Sequence, residues 1–238
     1  MTRREPVQKR SRQRVEQILL ASADLLAKSG KPEDLTTTSV SKRSGVPVAT
    51  IYRYFTDRSA IIAALIDRET DEIDIAIAAE LKKLEVVTVD ILFNTIMRAH
   101  YTHFKTHRRA IVLWFGARQS ATVLERVERR YKEWGDWCLR GWQDAGLIVN
   151  DAPDWGGEAI FWFSDRAFEF IFRTERSDAE EEEILTQYLE MTSLQLRNYV
   201  TQTGIEGLPR DEFFAKAGDF PPNDPAVGRD DFSPPLPS

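Results

Sequence analysis

Residues 36–58 read TTTSVSKRSGVPVATIYRYFTDR. The stretch predicts a short helix opened by hydroxyl side chains, a tight turn at Gly45, a second short helix, and the capped start of a third. Val40, Val46, Ile51 and Phe55 are the positions expected to face inward; they are few and mostly small, so two short helices can cross closely around the turn. That is helix-turn-helix geometry. Thr36, Thr37 and Thr38 at the first helix start offer an N-cap and hydroxyls for a backbone phosphate, and Lys42 adds a charge. On the second helix Val48, Ala49, Thr50, Tyr52 and Arg53 are expected to face outward. Small apolar groups such as Val48 and Ala49 suit a thymine methyl, and Arg53 suits guanine.

At these residues the chain resembles the TetR family of one-component transcriptional regulators. The matching pieces are Thr36-Thr37, Ser41 through Val46, Thr50-Ile51-Tyr52-Arg53-Tyr54-Phe55, Arg58, and the aliphatic run Ile61 to Leu65. Ser41 and Ser44 stand where alanine is common, Pro47 where serine is, Ala49 where glycine is, and Arg58 where lysine is usual. None of these removes a required small side chain or a required positive charge. The resemblance covers residues 10–203. It implies that Thr50, Tyr52 and Arg58 hold the phosphate backbone while Val48, Ala49 and Arg53 lie near base edges, two separate jobs.

Charge is divided along the chain in the way such a reader needs. Residues 1–66 carry twelve Lys/Arg against six Asp/Glu, a net +6, whereas the rest carries twenty against thirty-two, a net −12. An acidic protein with its basic charge gathered in the first quarter is expected to present that quarter to a polyanion. Met1 to Arg14 reads as a basic arm that contacts phosphates or the minor groove. The single cysteine, Cys138, excludes an intrachain disulfide and fits a reducing cytoplasm. No apolar run approaches a membrane span and no apolar segment follows the basic start, so neither secretion nor membrane insertion is expected.

The remainder predicts an all-α protein. From Arg12 to Ser29, Val15, Ile18, Leu19, Leu25 and Leu26 repeat with helical period, and Gly30 with Pro32 stops the helix. No proline falls between residues 48 and 152 or between 154 and 208, so long helices are allowed at Asp57–Leu84, Thr88–Lys105, Arg108–Arg118, Ala121–Gly146, Asp154–Glu175 and Asp178–Gln202. With the three before them these make about nine, the number the resemblance implies. The expected division is residues 1–56, an arm and a three-helix DNA-binding domain; 57–203, a helical ligand-binding and dimerisation domain; and 204–238, a tail. Seven of the eleven prolines lie from Pro209 onward, with a short amphipathic piece, Asp211–Ala217, able to dock through Phe213 and Phe214.

The second domain is rich in rings, whose ordinary use is core packing. Together with the resemblance, this ring content implies a mostly apolar effector held between helices by Phe93, Met97, Tyr101, Trp114, Phe115, Tyr131, Trp134, Trp137, Phe161, Asp165 and Phe168. His100, His103 and His107 have spacings that also suit a zinc site. No cysteine or acid stands beside them in sequence and His107 falls where a helix ends, so ring packing plus a helix-end cap is the expectation, with no metal. Ala159–Phe172 is apolar nearly all round, and the next helix repeats this more weakly after Glu180–Glu183, which predicts a homodimer through the last two helices. Asp165, Arg166, Glu169 and Arg173 interrupt that surface, either as paired interface charges or to orient a ligand.

Two classes of function compete on these observations. One is a repressor released from its DNA operator by a small molecule, or an activator of the same fold. The other is a helical enzyme or small-molecule carrier. No Gly-rich phosphate loop, nucleophile elbow, paired-cysteine motif or His-Glu helix motif supports an enzyme, no cofactor is called for, and a carrier has no use for the basic first quarter. The regulator is therefore the expected function.

Overall fold

The computed structural model describes residues 4–117, 120–218 and 220. Helix α1 spans Arg4–Ser29. It begins eight residues before the expected start because Pro6 lies in the first turn, where its missing N–H costs nothing, and no glycine follows until Gly30. From Arg4 on, the basic segment is thus helix. A 3₁₀ turn, Pro32–Asp34, leads to α2 (Thr37–Ser44), α3 (Val48–Tyr52) and α4 (Arg58–Leu81). After these come β1 (Val86–Val87), α5 (Val89–Thr106), α6 (Arg108–Gly116), α7 (Ala121–Asp144), α8 (Gly156–Phe172) and α9 (Asp178–Leu196). Among the described residues, no helix is long and apolar enough to cross a membrane.

The described residues divide into two compact units. The first takes the chain to Glu69 together with His107–Val127. Its core is Ile18 and Leu26 of α1, Val40, Val46, Ile51 and Phe55 around the turn, and Ile61 and Ile66 of α4, all at most 1% exposed. Helix α1 packs on α2 and α6. Asp24 of α1 accepts from Arg43 of α2 at 2.5 Å and pairs with Lys28 at 3.2 Å. Those bonds, Arg43's first, hold its carboxyl below the usual carboxylate range.

The second unit takes Thr70–Thr106 and the described residues from Glu128 to Phe220. This division differs from the expected boundary between residues 56 and 57, since α4 and α7 each contribute to both units and α6 belongs to the first. Ile73, Ile77 and Leu81 of α4, Leu92, Phe93 and Ile96 of α5, and Phe161, Phe168 and Ile171 of α8 form its core. Helix α9 packs on α8 and α5 and starts with a capping box. There Ser177 Oγ accepts from Glu180 N, and the Glu180 carboxylate accepts from Ser177 N at 2.9 Å.

Eleven α-helices are present among the described residues, two more than expected, and the addition lies where a tail was anticipated. Helix α9 stops at Leu196, short of Gln202, because the chain turns to lie against the α7–α8 connection: Val149 N donates to Tyr199 O at 2.9 Å and Thr201 N to Leu147 O at 3.0 Å. Helix α10 (Gln202–Glu206) follows, then β2 (Leu208–Pro209) and α11 (Arg210–Ala217). Strand β2 pairs antiparallel with β1, Val86 opposite Pro209 and Val87 opposite Leu208. The Pro-rich remainder from Pro221 lies outside the described residues.

Candidate functional site

The turn between α2 and α3 is made by Gly45, at φ 72°, a left-handed conformation that favours glycine; its N–H donates to Ser41 O at 2.9 Å. Thr36 caps α2 through a capping box with Ser39. Its hydroxyl is therefore engaged, whereas Thr38 is exposed. Thr37 Oγ1 lies 3.4 Å from the Tyr52 hydroxyl, joining the start of α2 to the end of α3. With Val46, Ile51 and Phe55 buried beneath, α3 leaves Ala49, Tyr52 and Arg53 exposed and Val48 and Thr50 half-buried. Lys42 is exposed on α2.

Arg58, also predicted to hold a phosphate, has an internal partner as well. Arg58 Nη1 donates to Glu33 O at 3.0 Å, tying the start of α4 to the 3₁₀ turn. Asp57 caps that helix, accepting from Ala60 N at 2.9 Å. Two ties that spacing does not reveal support the head from α1: Arg43 to Asp24, and Ser11 Oγ donating to the Tyr54 hydroxyl at 3.4 Å. Both join positions distant in sequence.

In the second unit the predicted residues pack closely, some of them around a small void. Phe93, Met97 and Phe161, with Ile96, Cys138, Trp142, Gly157 and Ile160, surround a void of about 10 Å³, room for a single water. Burial pushes the Cys138 thiol above its ordinary range, so it stays protonated. Trp134 donates from Nε1 to Asp74 Oδ1 at 2.9 Å, and the Arg130 guanidinium lies 4.9 Å above its ring. Tyr131 donates to Asp165, which also accepts from Arg166 Nη2 at 2.9 Å. Phe168 packs on Phe104 and His100. Tyr101 stacks on Phe172 and donates to Glu181 at 2.9 Å. Trp137 meets Phe213 and Phe220 edge-on. Trp114 and Phe115 sit on α6, in the first unit.

The histidines have separate settings. His100 is enclosed by Trp134, Phe161 and Phe168. His103 is edge-on to Phe104, and His107 occupies the position before α6.

Sequence reasoning passed over Gly135 and Gly157, although a glycine inside a helical pattern is itself a sign of close packing. A Cβ on Gly157 would fall inside the radius of the Gly135 carbonyl oxygen, and one on Gly135 would meet the backbone of Gly157 and Glu158. Helices α7 and α8 therefore touch backbone to backbone beside the void. Gly157→Ala is expected to cost about 1–3 kcal/mol, because a backbone neighbour cannot swing away as a side chain can. Urea denaturation of this variant should show that loss, whereas Gly156→Ala, where a Cβ meets nothing within 4 Å, should not.

Helices α8 and α9 also expose apolar rings and chains: Phe163 at 67%, Phe170 at 56%, Met191 at 70% and Leu194 at 59%. Arg166, between the two exposed phenylalanines of α8, pairs with Asp165 and, at 2.7 Å, with Glu169.

No protein-family model and no curated protein sequence matches the chain. Solved structures do. A TetR-family transcriptional regulator from Pectobacterium atrosepticum superimposes with a TM-score of 0.62 at 16% identity, over 82% of this chain and 97% of that one. A TetR-family regulator from Streptomyces coelicolor gives 0.56 at 21% identity, over 79% and 99%. The fatty acid degradation regulator FadR from Bacillus halodurans gives 0.57 at 16%, over 73% and 97%. The chain has the TetR-family regulator fold: an N-terminal helix-turn-helix followed by a larger helical domain.

Proposed function

We propose that this protein is a DNA-binding transcriptional regulator of the TetR type, a repressor that leaves its operator when a small, mostly apolar effector enters the helical domain. The observation that carries the reading is the α2–α3 pair, whose apolar side is buried to the last residue while Ala49, Tyr52 and Arg53 stand exposed on the other side. A short helix presenting such residues is what the major groove admits, and the basic first quarter supplies the phosphate term. The shared fold supports the same conclusion.

A symmetric operator calls for two reading heads about one DNA turn, roughly 34–36 Å, apart. The exposed Phe163, Phe170, Met191 and Leu194 support a homodimer in which α8 and α9 of two copies form a four-helix interface. Helix α4 runs unbroken from Arg58 to Leu81, so an effector that tilts its C-terminal half changes the direction of the half to which the reading head is attached. The spacing of the two heads then departs from a DNA turn and affinity falls. Coupling of this kind is a difference in effector affinity between two arrangements, and it is reciprocal.

Fluorescence anisotropy of the full chain on intergenic DNA beside its own gene, across a salt series and against a scrambled duplex, tests the reading. Tight, sequence-dependent binding with a steep salt slope is expected; weak binding indifferent to sequence favours a carrier. Within that assay Arg53→Ala should cost about 1–3 kcal/mol and relax preference at one base position, whereas Thr50→Ala should weaken all sequences alike. An equal, uniform loss in both variants would overturn the division between reading and positioning residues.

A further inference from the structure

His100 is 4% exposed, on α5, among Trp134, Phe161 and Phe168, whose ring centroids lie 4.8, 6.2 and 6.2 Å away. Its Nδ1 is 2.9 Å from the Ile96 carbonyl oxygen. A carbonyl only accepts, so the proton sits on Nδ1 and Nε2 carries a bare lone pair. Among the described residues no donor meets Nε2. Burial lowers the imidazole pKa to about 4, His103 adds to the lowering, and the Ile96 bond opposes it. At neutral pH the ring is therefore an uncharged acceptor that meets no donor among the described residues. A buried acceptor left unmatched is destabilising, and a phenylalanine would fill the same volume without that cost.

The orphan adjoins the void. Phe161 touches His100 and also lines the void, and Ile96 and Met97 line it one turn earlier on α5. Trp142, another wall residue, is 3% exposed, and its indole N–H likewise lacks an acceptor among the described residues. The void itself has room for one water, so a guest needs Phe161 or Met97 to move aside. What it then meets is an aromatic cage with one spare acceptor and one spare donor. The nearby ions are engaged with each other: Arg130 with Asp74 and Glu133, Asp165 with Arg166.

We infer that this core is the effector pocket for an uncharged aromatic hydroxyl compound, a phenol, whose O–H donates to His100 Nε2 while its ring packs among Trp134, Phe161 and Phe168 and its oxygen accepts from Trp142. The inference rests on the effector reading above and specifies its chemistry. A hydrocarbon leaves both spare groups unmatched. A carboxylate brings a charge that no cation in the cage is placed to receive, and it has no proton to give Nε2.

Calorimetry of the full chain with phenol, anisole, toluene and benzoate tests it. Phenol should bind saturably, and anisole and toluene about tenfold or more weaker, the equivalent of one net hydrogen bond. His100→Phe should reduce phenol to the affinity of anisole while leaving toluene unchanged, and Trp142→Phe should weaken phenol without abolishing the preference. If His100→Phe fails to fold, the phenol-to-anisole ratio of the unaltered chain decides alone. Equal binding of phenol and anisole, a preference for benzoate, or no binding of any of the four overturns the proposal. Operator binding by anisotropy is a separate measurement. Sequence-specific DNA binding without a phenol preference sinks the pocket chemistry alone, and a phenol preference without DNA binding sinks the regulator reading alone.

Discussion

Asp74→Ala is expected to cost about 3–5 kcal/mol of stability, because it removes the buried carboxylate that pairs with Arg130 and also takes away the acceptor of Trp134 Nε1. For a chain of this size that lowers the melting temperature by roughly 6–20 °C. Asp74, on α4, is 1% exposed. One carboxylate oxygen accepts from Trp134 Nε1 at 2.9 Å, and the other meets the Arg130 guanidinium from α7. Arg130 has a second carboxylate, Glu133 at 2.7 Å, but that residue lies on its own helix and does nothing to hold α7 to α4. Trp134→Phe removes one neutral donor and should cost only about 1 kcal/mol. The double variant Asp74→Leu with Arg130→Met should recover much of the single-variant loss, since an apolar pair of similar volume has no desolvation cost to offset. Scanning calorimetry of the set checks this. A double variant no more stable than Asp74→Ala would show that the ion pair is not the source of the loss.

Phe213→Ala should cost a similar amount, about 3–5 kcal/mol, as for a fully buried ring in a well-packed core. Phe213 is 0% exposed although it lies in a stretch whose composition reads as tail. It meets Trp137 of α7 edge-on with ring centroids 6.3 Å apart. A Cβ on Gly141, one turn along the same helix, would lie 3.0 Å from the Ala217 side chain, so α11 sits close on α7. The approach is held at its other end by the β1–β2 pairing, by Arg210 N donating to Glu85 O at 3.0 Å and by Arg210 Nη1 donating to Lys82 O at 2.5 Å. Phe214, half-buried, serves as the control, and Phe214→Ala should lose less than half as much. Equal urea midpoints for the two variants would mean that residues 208–217 fold apart from the main cooperative unit.

These two sites differ in how much of them can be read along the chain. Asp74 sits in an amphipathic helix and looks like any solvated acid; only Arg130 and Trp134, more than fifty residues away, make it a buried partner. Phe213 was legible as the apolar side of a short helix but not as core, since what covers it is Trp137. Prolines from Pro209 onward argued for a tail, yet Pro209 tolerates its place in β2 because that strand is two residues long and at an edge. The basic start reads as an arm because charge says nothing about backbone shape, and from Arg4 it is helical, which Pro6 permits by falling in the first turn.

The helix-turn-helix, by contrast, was determined by the sequence itself, together with the all-α class and most helix boundaries. Each depends on interactions within a few residues: a hydroxyl capping the N–H three positions on, a glycine at positive φ, and apolar side chains repeating every three or four residues. Gly45, Thr36 and the Val40, Val46, Ile51, Phe55 set act where they stand. Only the tertiary structure decided that the ring-rich core leaves a void with room for one water, that α7 and α8 touch through Gly135 and Gly157, and that His100 Nε2 meets no donor among the described residues. Those are statements about which distant surfaces meet and how much space is left between them. Local propensity carries no record of that, because the same rings satisfy the same helical period whether they close on one another or on a guest.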